Sequence, residues 1–525
     1  MKNFNTKQSA FWLLTILAAI SIAAVLSFFN TPTALAILAA IILVGLSLKK
    51  IEYGIMMLAA YTPFEPFLLK FVPDELYLTV RYAGEVFMIV LLVILLLKRL
   101  KNRDLKFKRT PIDLALVAFI LVAVISMIFR TVGPAYVGFL GLRQILRYVV
   151  LYYLIIYAEP AKPFVKKFLH IMLAIVFVEA IIGLAQAIIG GPADAWLLPG
   201  KRRGFPALDI PWQTQFWASG QCVFATFGRY DLLGIFMSFF ALIGVGLAYE
   251  AKRKQRRQWL WLLVISLMPT LILTYSRLSW LGLIFGVLVI GVVLKRDRRL
   301  MIGLAALAMV ITSYVSLFFV ANNLNLQRIT DQPKMAVAER ILETFSLRSL
   351  KWGYRGYGRP YFIVNTVTRV VKRYPFFGVG PGQYGGGVAF ALHLTDRYDE
   401  FRLPFGIQDA KGQIDNNWFS IWGETGTLGL VAYALILAAL GRYSYVVWRH
   451  SQDPLTRGLA LGYLGALTAV TFQNFLGPYF EARTLAVYLW LVGGLVVVLG
   501  EQELISVSRK SKVFNRISEI RVYEK

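Results

Sequence analysis

Arg229, Arg277, Arg355 and Arg359 are the side chains of this chain whose type and placement are best suited to chemistry. A guanidinium binds two oxygens of a phosphate at once, and a fixed cation stabilises charge that builds on a departing group. Arg277 closes the short connection Thr274-Tyr275-Ser276-Arg277 between two apolar runs. Arg229 stands at the mouth of another run, in Ala225-Thr226-Phe227-Gly228-Arg229-Tyr230-Asp231. Short outer connections ordinarily avoid arginine. Two readings follow, a phosphate clamp or snorkelling to lipid headgroups. Arg355 and Arg359 precede a segment, 359–374, with Ile363, Val364, Val367, Val370, Val371 and Tyr374 at helical spacing and Arg369, Lys372 and Arg373 elsewhere. That pattern predicts a basic amphipathic helix at the membrane interface, and anchoring the loop is its simplest role. Pro375 ends it, and Phe376-Phe377-Gly378-Val379-Gly380-Pro381-Gly382 forms a glycine-rich turn whose amides are expected to be open to an anion. Glu179 lies in the middle of an apolar run and needs a partner there; Arg143 and Arg147 are the candidates for a structural pair.

The elements that must hold these residues are membrane helices. Of 525 residues 58% are hydrophobic and 16% charged, against roughly 25% charged in soluble domains. The net charge of +27 does not indicate nucleic acid, because the cations sit in short clusters between apolar runs, where they set topology and meet anionic lipid. Cys222 is the only cysteine, so no intramolecular disulfide or cysteine metal cluster can form. His170, His393 and His450 are too scattered to suggest a metal site. The first 30 residues resemble a signal peptide, but their apolar stretch approaches full membrane thickness and no small-residue cleavage pattern follows.

Runs near membrane length occur at 10–29, 33–48, 52–70, 82–97, 112–129, 140–157 and 166–189, then at 231–249, 258–275, 279–294, 300–320, 425–445, 458–475 and 484–500. The expected fold is an all-α polytopic membrane protein of about fourteen transmembrane helices. Residues 1–320 would hold helices 1–11 with an outer loop near 190–230. Residues 321–414 would form a large extracytoplasmic loop containing amphipathic helices, 415–500 helices 12–14, and 501–525 a cytoplasmic tail. The basic clusters at 98–109, 252–257 and 295–299 then share one side with both termini, which the positive-inside rule makes cytoplasmic. Loops as long as 321–414 usually carry function.

Four stretches together resemble a known family. Asp415-Asn416-Asn417-Trp418-Phe419-Ser420-Ile421-Trp422-Gly423-Glu424-Thr425-Gly426-Thr427-Leu428-Gly429 is similar to the segment with which the O-antigen ligase and polymerase superfamily returns to the membrane after its large outer loop. Tyr275-Ser276-Arg277, Ala225-Thr226-Phe227-Gly228 and Tyr374-Pro375-Phe376-Phe377-Gly378-Val379-Gly380 resemble its other turns, in the same order, and Arg359 falls near the arginine opening its amphipathic helix. The resemblance spans roughly residues 180–440. It implies a membrane glycosyltransferase of the cell envelope, acting at the outer leaflet of the inner membrane in polysaccharide biosynthesis. The implied donor is a glycan on undecaprenyl diphosphate, and the acceptor a hydroxyl of a glycan or glycolipid. Inversion at the anomeric carbon is implied, with no metal or cofactor, so that Arg277, Arg229 and Arg359 would stabilise the leaving diphosphate, with Arg355 and Asn416 also in the binding site. The lipid bilayer is a further partner, and nucleic acid is not.

The family's ligases carry histidine where this chain has Asp415, which makes Asp415 the candidate base, with His393 as a possible substitute. Asp415 could equally cap the helix that begins at Asn416 or Asn417. The Asp-Asn version and the high span count resemble polymerases more than ligases. A transporter or flippase for a lipid-linked oligosaccharide is the competing class, but such folds show internal repeats and polar groups at the midplane, whereas this sequence shows no repeat and its arginines cluster at the outer surface. The topology is directly testable: a reporter fused after Arg103 or Arg257 should be cytoplasmic and one near Asp396 external. Any one of them on the wrong side breaks the predicted span order.

Overall fold

The computed structural model describes residues 31–103, 107–198, 222–321, 336–345 and 347–510. The predicted first span (10–29), residues 199–221 of the first outer loop, 322–335 of the second and the tail from 511 lie outside them. The described residues are helices joined by turns, with one isolated extended bridge between Gly385 and Gln413. Helices are what a backbone in lipid requires, since each must satisfy its own amides and carbonyls. Nine of them are long and apolar enough to cross a membrane, ten if the bent pair Ala135–Leu146 and Val149–Ala158 is one span. The protein is a multi-pass membrane protein.

Fourteen spans are not reached within the described residues. The predicted run 52–70 is broken: Ile51–Tyr61 ends before Pro63, and Glu65–Leu68 starts afresh with Pro66 in its first turn. Glu65 turns inward there and pairs with Arg483. Lys254–Leu273 opens on Lys254, Arg256 and Arg257 and carries Pro269, so it falls short of the apolar length of the others.

Three helices make the centre, Tyr230–Glu250, Pro454–Gln473 and Arg483–Glu503. Tyr230–Glu250 and Arg483–Glu503 are 89% and 94% buried, whereas none of Arg298–Ala321 is, and its apolar surface is left for lipid. Lipid tails are as apolar as leucine, so helices in a membrane associate through close backbone approach at small residues. Gly246 and Gly462 provide it here, because a Cβ at Gly246 would lie 2.2 Å from the Gly462 nitrogen.

Ion pairs gather the basic loops at one end of the bundle. Arg99 and Lys108 meet Glu159; Lys162 meets Asp453; Arg457 and Lys295 meet Glu250. Arg229 precedes the helix that ends at Glu250, so it stands a full helix length away, about 30 Å.

At that far end the residues between Ala321 and Asn417 include a separate core of Phe362, Val370, Val379, Tyr384, Tyr398 and Ile414. The segment 359–374 is helical, and Val370 and Val371 of its predicted face are buried. A π turn at Thr366–Val371 shifts the register, so Phe362 and Thr366 are buried as well while Val364 and Val367 face outward. The glycine-rich turn is also unlike the expectation, because protein carbonyls occupy its amides. Val379 N–H donates to Gly423 O at 2.9 Å and Gly380 N–H to Glu424 O at 3.0 Å. The turn is a dock for one helix, whose Glu424 carboxyl also accepts from the amides of Gly382 and Tyr384. Its partner helix, Asn417–His450, kinks at Gly426 with φ +68°, where a Cβ would lie 2.3 Å from the Phe376 carbonyl. Only glycine fits both that conformation and that approach.

The packing claim predicts that Gly246→Val costs about 1–3 kcal/mol through overpacking and lowers the melting temperature in detergent by several degrees. Gly303→Val is the control, since no atom lies within 4 Å of a Cβ there. Equal melting of the two variants contradicts the close approach.

Candidate active site

Each predicted arginine is held by its own local device. The turn before Arg229 is pinned from the neighbouring helix Lys162–Ile189. Glu179 accepts from the Thr226 hydroxyl at 2.6 Å and its amide at 3.3 Å, and Gln186 Oε1 accepts from the amides of Phe224 and Ala225 at 3.0 and 2.8 Å. This corrects the expected pairing of Glu179, because Arg143 and Arg147 bind Glu85 instead. Arg229 then closes a two-point fork on Asp231, Nε to Oδ1 at 3.0 Å and Nη2 to Oδ2 at 2.8 Å. Burial alone would lower its affinity for a proton, but the Asp231 carboxylate outweighs that and holds it above the ordinary arginine range.

Arg277 opens the helix Arg277–Val287, which Ser276 caps by accepting from the Ser279 amide. The preceding Tyr275 adopts φ +53°, which makes the corner sharp. Glu343 reaches Arg277 at 3.6 Å from the short helix Val337–Phe345. That helix also contributes Arg340, which binds Glu343 at 2.6 Å and donates to the Tyr275 carbonyl at 3.3 Å. Arg340 was not legible as a site residue. The Arg-x-x-Glu spacing signals only a local helical pair, and nothing in the sequence tells which corner it docks on.

Arg359, at the start of Arg359–Asn365, meets Asp415 Oδ2 at 3.4 Å through Nη2, while its buried Nε has no hydrogen-bond partner. Asp415 holds its guanidinium above the ordinary range against the opposing effect of burial. Asp415 does not cap the next helix. Asn416 does, accepting from the Phe419 amide at 3.2 Å, while its own amide donates to Phe475 O. Asp415 sits one residue earlier at φ +49°, a strained conformation of the kind that collects at functional sites.

These pieces converge. Arg229 feels the charge of Asp415, Arg277 that of Arg340 and Arg359, and Arg359 that of Asp231. Tyr230 lies among Arg229, Arg340 and Arg359, and Lys411 is in reach of Asp415 and Arg229. Burial pulls the Lys411 ammonium below its ordinary value. Among the described residues meeting here, five cations face Asp231, Glu343 and Asp415, a surplus of two positive charges. Such a surplus is an anion site. Two predicted residues are not part of it. Arg355 is exposed at the end of Leu347–Arg355, and His393 is exposed with its ring 4.7 Å from that of Phe405. Among the described residues no three His, Cys, Asp or Glu side chains gather as a metal site.

Residues 261–434 match the O-antigen ligase family. The match takes in Arg277, Arg340, Arg359, Asp415 and Asn416 and stops short of Arg229. Compared with curated proteins, the chain matches none.

The capping assignment is testable by stability alone. Asn416→Ala should lose about 1 kcal/mol and Asn416→Asp almost nothing, since both Asn and Asp cap. Asp415→Asn should melt like wild type, because Asn tolerates the left-handed backbone. Wild-type melting of Asn416→Ala would contradict the capping role of Asn416.

Proposed function

We propose, from the match of residues 261–434 to the O-antigen ligase family, that this protein transfers a glycan from undecaprenyl diphosphate to a hydroxyl of an acceptor glycan or lipid at the outer leaflet. The observation that carries the reading is the convergence of Arg229, Arg277, Arg340 and Arg359 with Asp231, Glu343 and Asp415. In this reading the basic loops are cytoplasmic and the arginine end is extracytoplasmic.

The chemistry divides between charge and proton. The acceptor oxygen bonds to the anomeric carbon as the bond from that carbon to the diphosphate oxygen breaks, and the electron pair leaves with the diphosphate. The arginines stabilise that developing charge, which supplies without a metal the cationic stabilisation such a leaving group needs. The hydroxyl proton passes to the Asp415 carboxylate. Arg359, 3.4 Å from Asp415, binds the base and stands beside the leaving group. Glu343 balances the charge of Arg277 and gives way as phosphate oxygens arrive. A transporter reading is less well served, since this charge lies at one end of the bundle, not at its midplane.

Arg277→Ala should slow transfer about 10²–10³-fold, the usual loss of one charge-stabilising contact, and Arg277→Lys should recover only part, because an ammonium cannot fork. Asp415→Asn should lower turnover about 10²–10⁴-fold with donor binding little changed. Both are read as glycan transferred per minute by purified protein. Near-normal rates in Arg277→Ala reduce that residue to a headgroup anchor, and full activity in Asp415→Asn moves the base elsewhere.

A further inference from the structure

Beside the arginine cluster lies a cavity of about 330 Å³ that the mechanism above leaves unused. Arg229 lines it from one side, and Arg81, Arg147, Arg483 and Lys70 give it a cationic wall. Leu69, Phe227 and Leu232 give it an apolar one. It belongs to the same end of the bundle, since Thr484 is one residue into its helix and Lys70 lies in the break before Asp74–Lys101.

Two buried donors on its wall have no partner. The Thr484 hydroxyl and Arg147 Nε are both enclosed and unbonded, which buried polar groups seldom are. The carboxylates of the wall are already committed. Glu65 binds Arg483, and Glu85 binds Arg143, Arg147 and Arg483. Arg81 forms no ion pair among the described residues. The wall therefore offers positive charge and free donors, the complement of a phosphate.

The cavity also reaches the lipid. Tyr82 lines it and is 45% exposed, and Leu78 and Val86, one turn to either side on the same helix face, are exposed as well. A molecule with a phosphate head and an apolar tail fits such a side opening, with the head against Arg81 and Thr484 and the tail along Asp74–Lys101. The cavity is tied to the reaction site through Glu481, which accepts from Asn417 at 2.9 Å and whose carbonyl accepts from Arg147 at 2.8 Å.

We propose that this cavity is a second phosphate site, distinct from the arginine cluster, and that it holds the phosphate of a lipid-linked acceptor. The second half rests on the function proposed above. Two lipid phosphates would then lie side by side with Arg229 between them, and the acceptor glycan would reach Asp415 while anchored in the membrane.

Native mass spectrometry of the purified protein, with undecaprenyl diphosphate as the probe, tests this. Wild type should bind two molecules. The double variant Arg81→Gln, Thr484→Val should bind one, with the second weakened at least about tenfold, and Arg277→Ala should lose the other one instead. A single molecule on wild type, unaffected by the double variant, overturns the second site while leaving the proposed function standing. Two molecules still bound to Arg277→Ala sink the reading of the arginine cluster and spare the cavity. Phosphatidylglycerol added as competitor distinguishes the source. Displacement of the cavity-bound molecule at equal concentration would make this a phospholipid headgroup site and remove the acceptor assignment; resistance to it supports that assignment.

Discussion

Guanidinium groups repel one another, and gathering four of them among only three carboxylates is the arrangement on which the rest of this structure turns. The repulsion is tolerated because each is tethered separately: Arg229 to Asp231, Arg277 and Arg340 to Glu343, Arg359 to Asp415. The tethers come from well-separated stretches of chain, so the site exists only when the bundle and the outer loop are both folded. Close helix approach at Gly246 and Gly462 fixes the helix that carries Arg229. The kink at Gly426 and the dock made by Val379 and Gly380 fix the angle at which Asp415 and Asn416 enter the membrane helix. Half-buried cations with a net surplus of charge are poised for an anion, whose arrival replaces repulsion with paired hydrogen bonds.

Much of this was legible in the sequence, and the limits are physical. Apolar runs declare helices because lipid leaves the backbone no other option, and the basic loops gather at one end as their spacing predicted. Where prolines interrupt a run, as at Pro63 and Pro66, hydropathy cannot tell one span from a broken one. Sequence also shows that Glu179 needs a partner, but not which. Two arginines were the obvious choice, yet Thr226 and its amide satisfy the carboxylate and the arginines go to Glu85. The glycine-rich turn misled in a similar way. Its composition signals a tight backbone with exposed amides, while Gly423 and Glu424, more than forty residues on, use them.

The site itself was half legible. Arg229, Arg277 and Arg359 stood out because arginine is unusual at the outer ends of spans, and the structure brings them to one place. Arg340 carried no such mark, sitting in an ordinary charged helix of a loop, and only its docking on Tyr275 and Glu343 reveals it. His393 was attractive by type alone and faces Phe405 instead. Asp415 is better defined in three dimensions than in sequence, since the capping role falls to Asn416 and leaves Asp415 strained and bound to Arg359.

If this charge exists to carry away a diphosphate, the reaction must be observable with few components. The most direct measurement supplies the purified protein, in detergent or liposomes, with a glycan on undecaprenyl diphosphate and a second such lipid as acceptor. Gel separation of the glycans and mass analysis of the lipids then give the products. The account predicts elongated glycans on one lipid and a matching amount of undecaprenyl diphosphate released from the other. Donor that remains intact, or only changes leaflet, would contradict it.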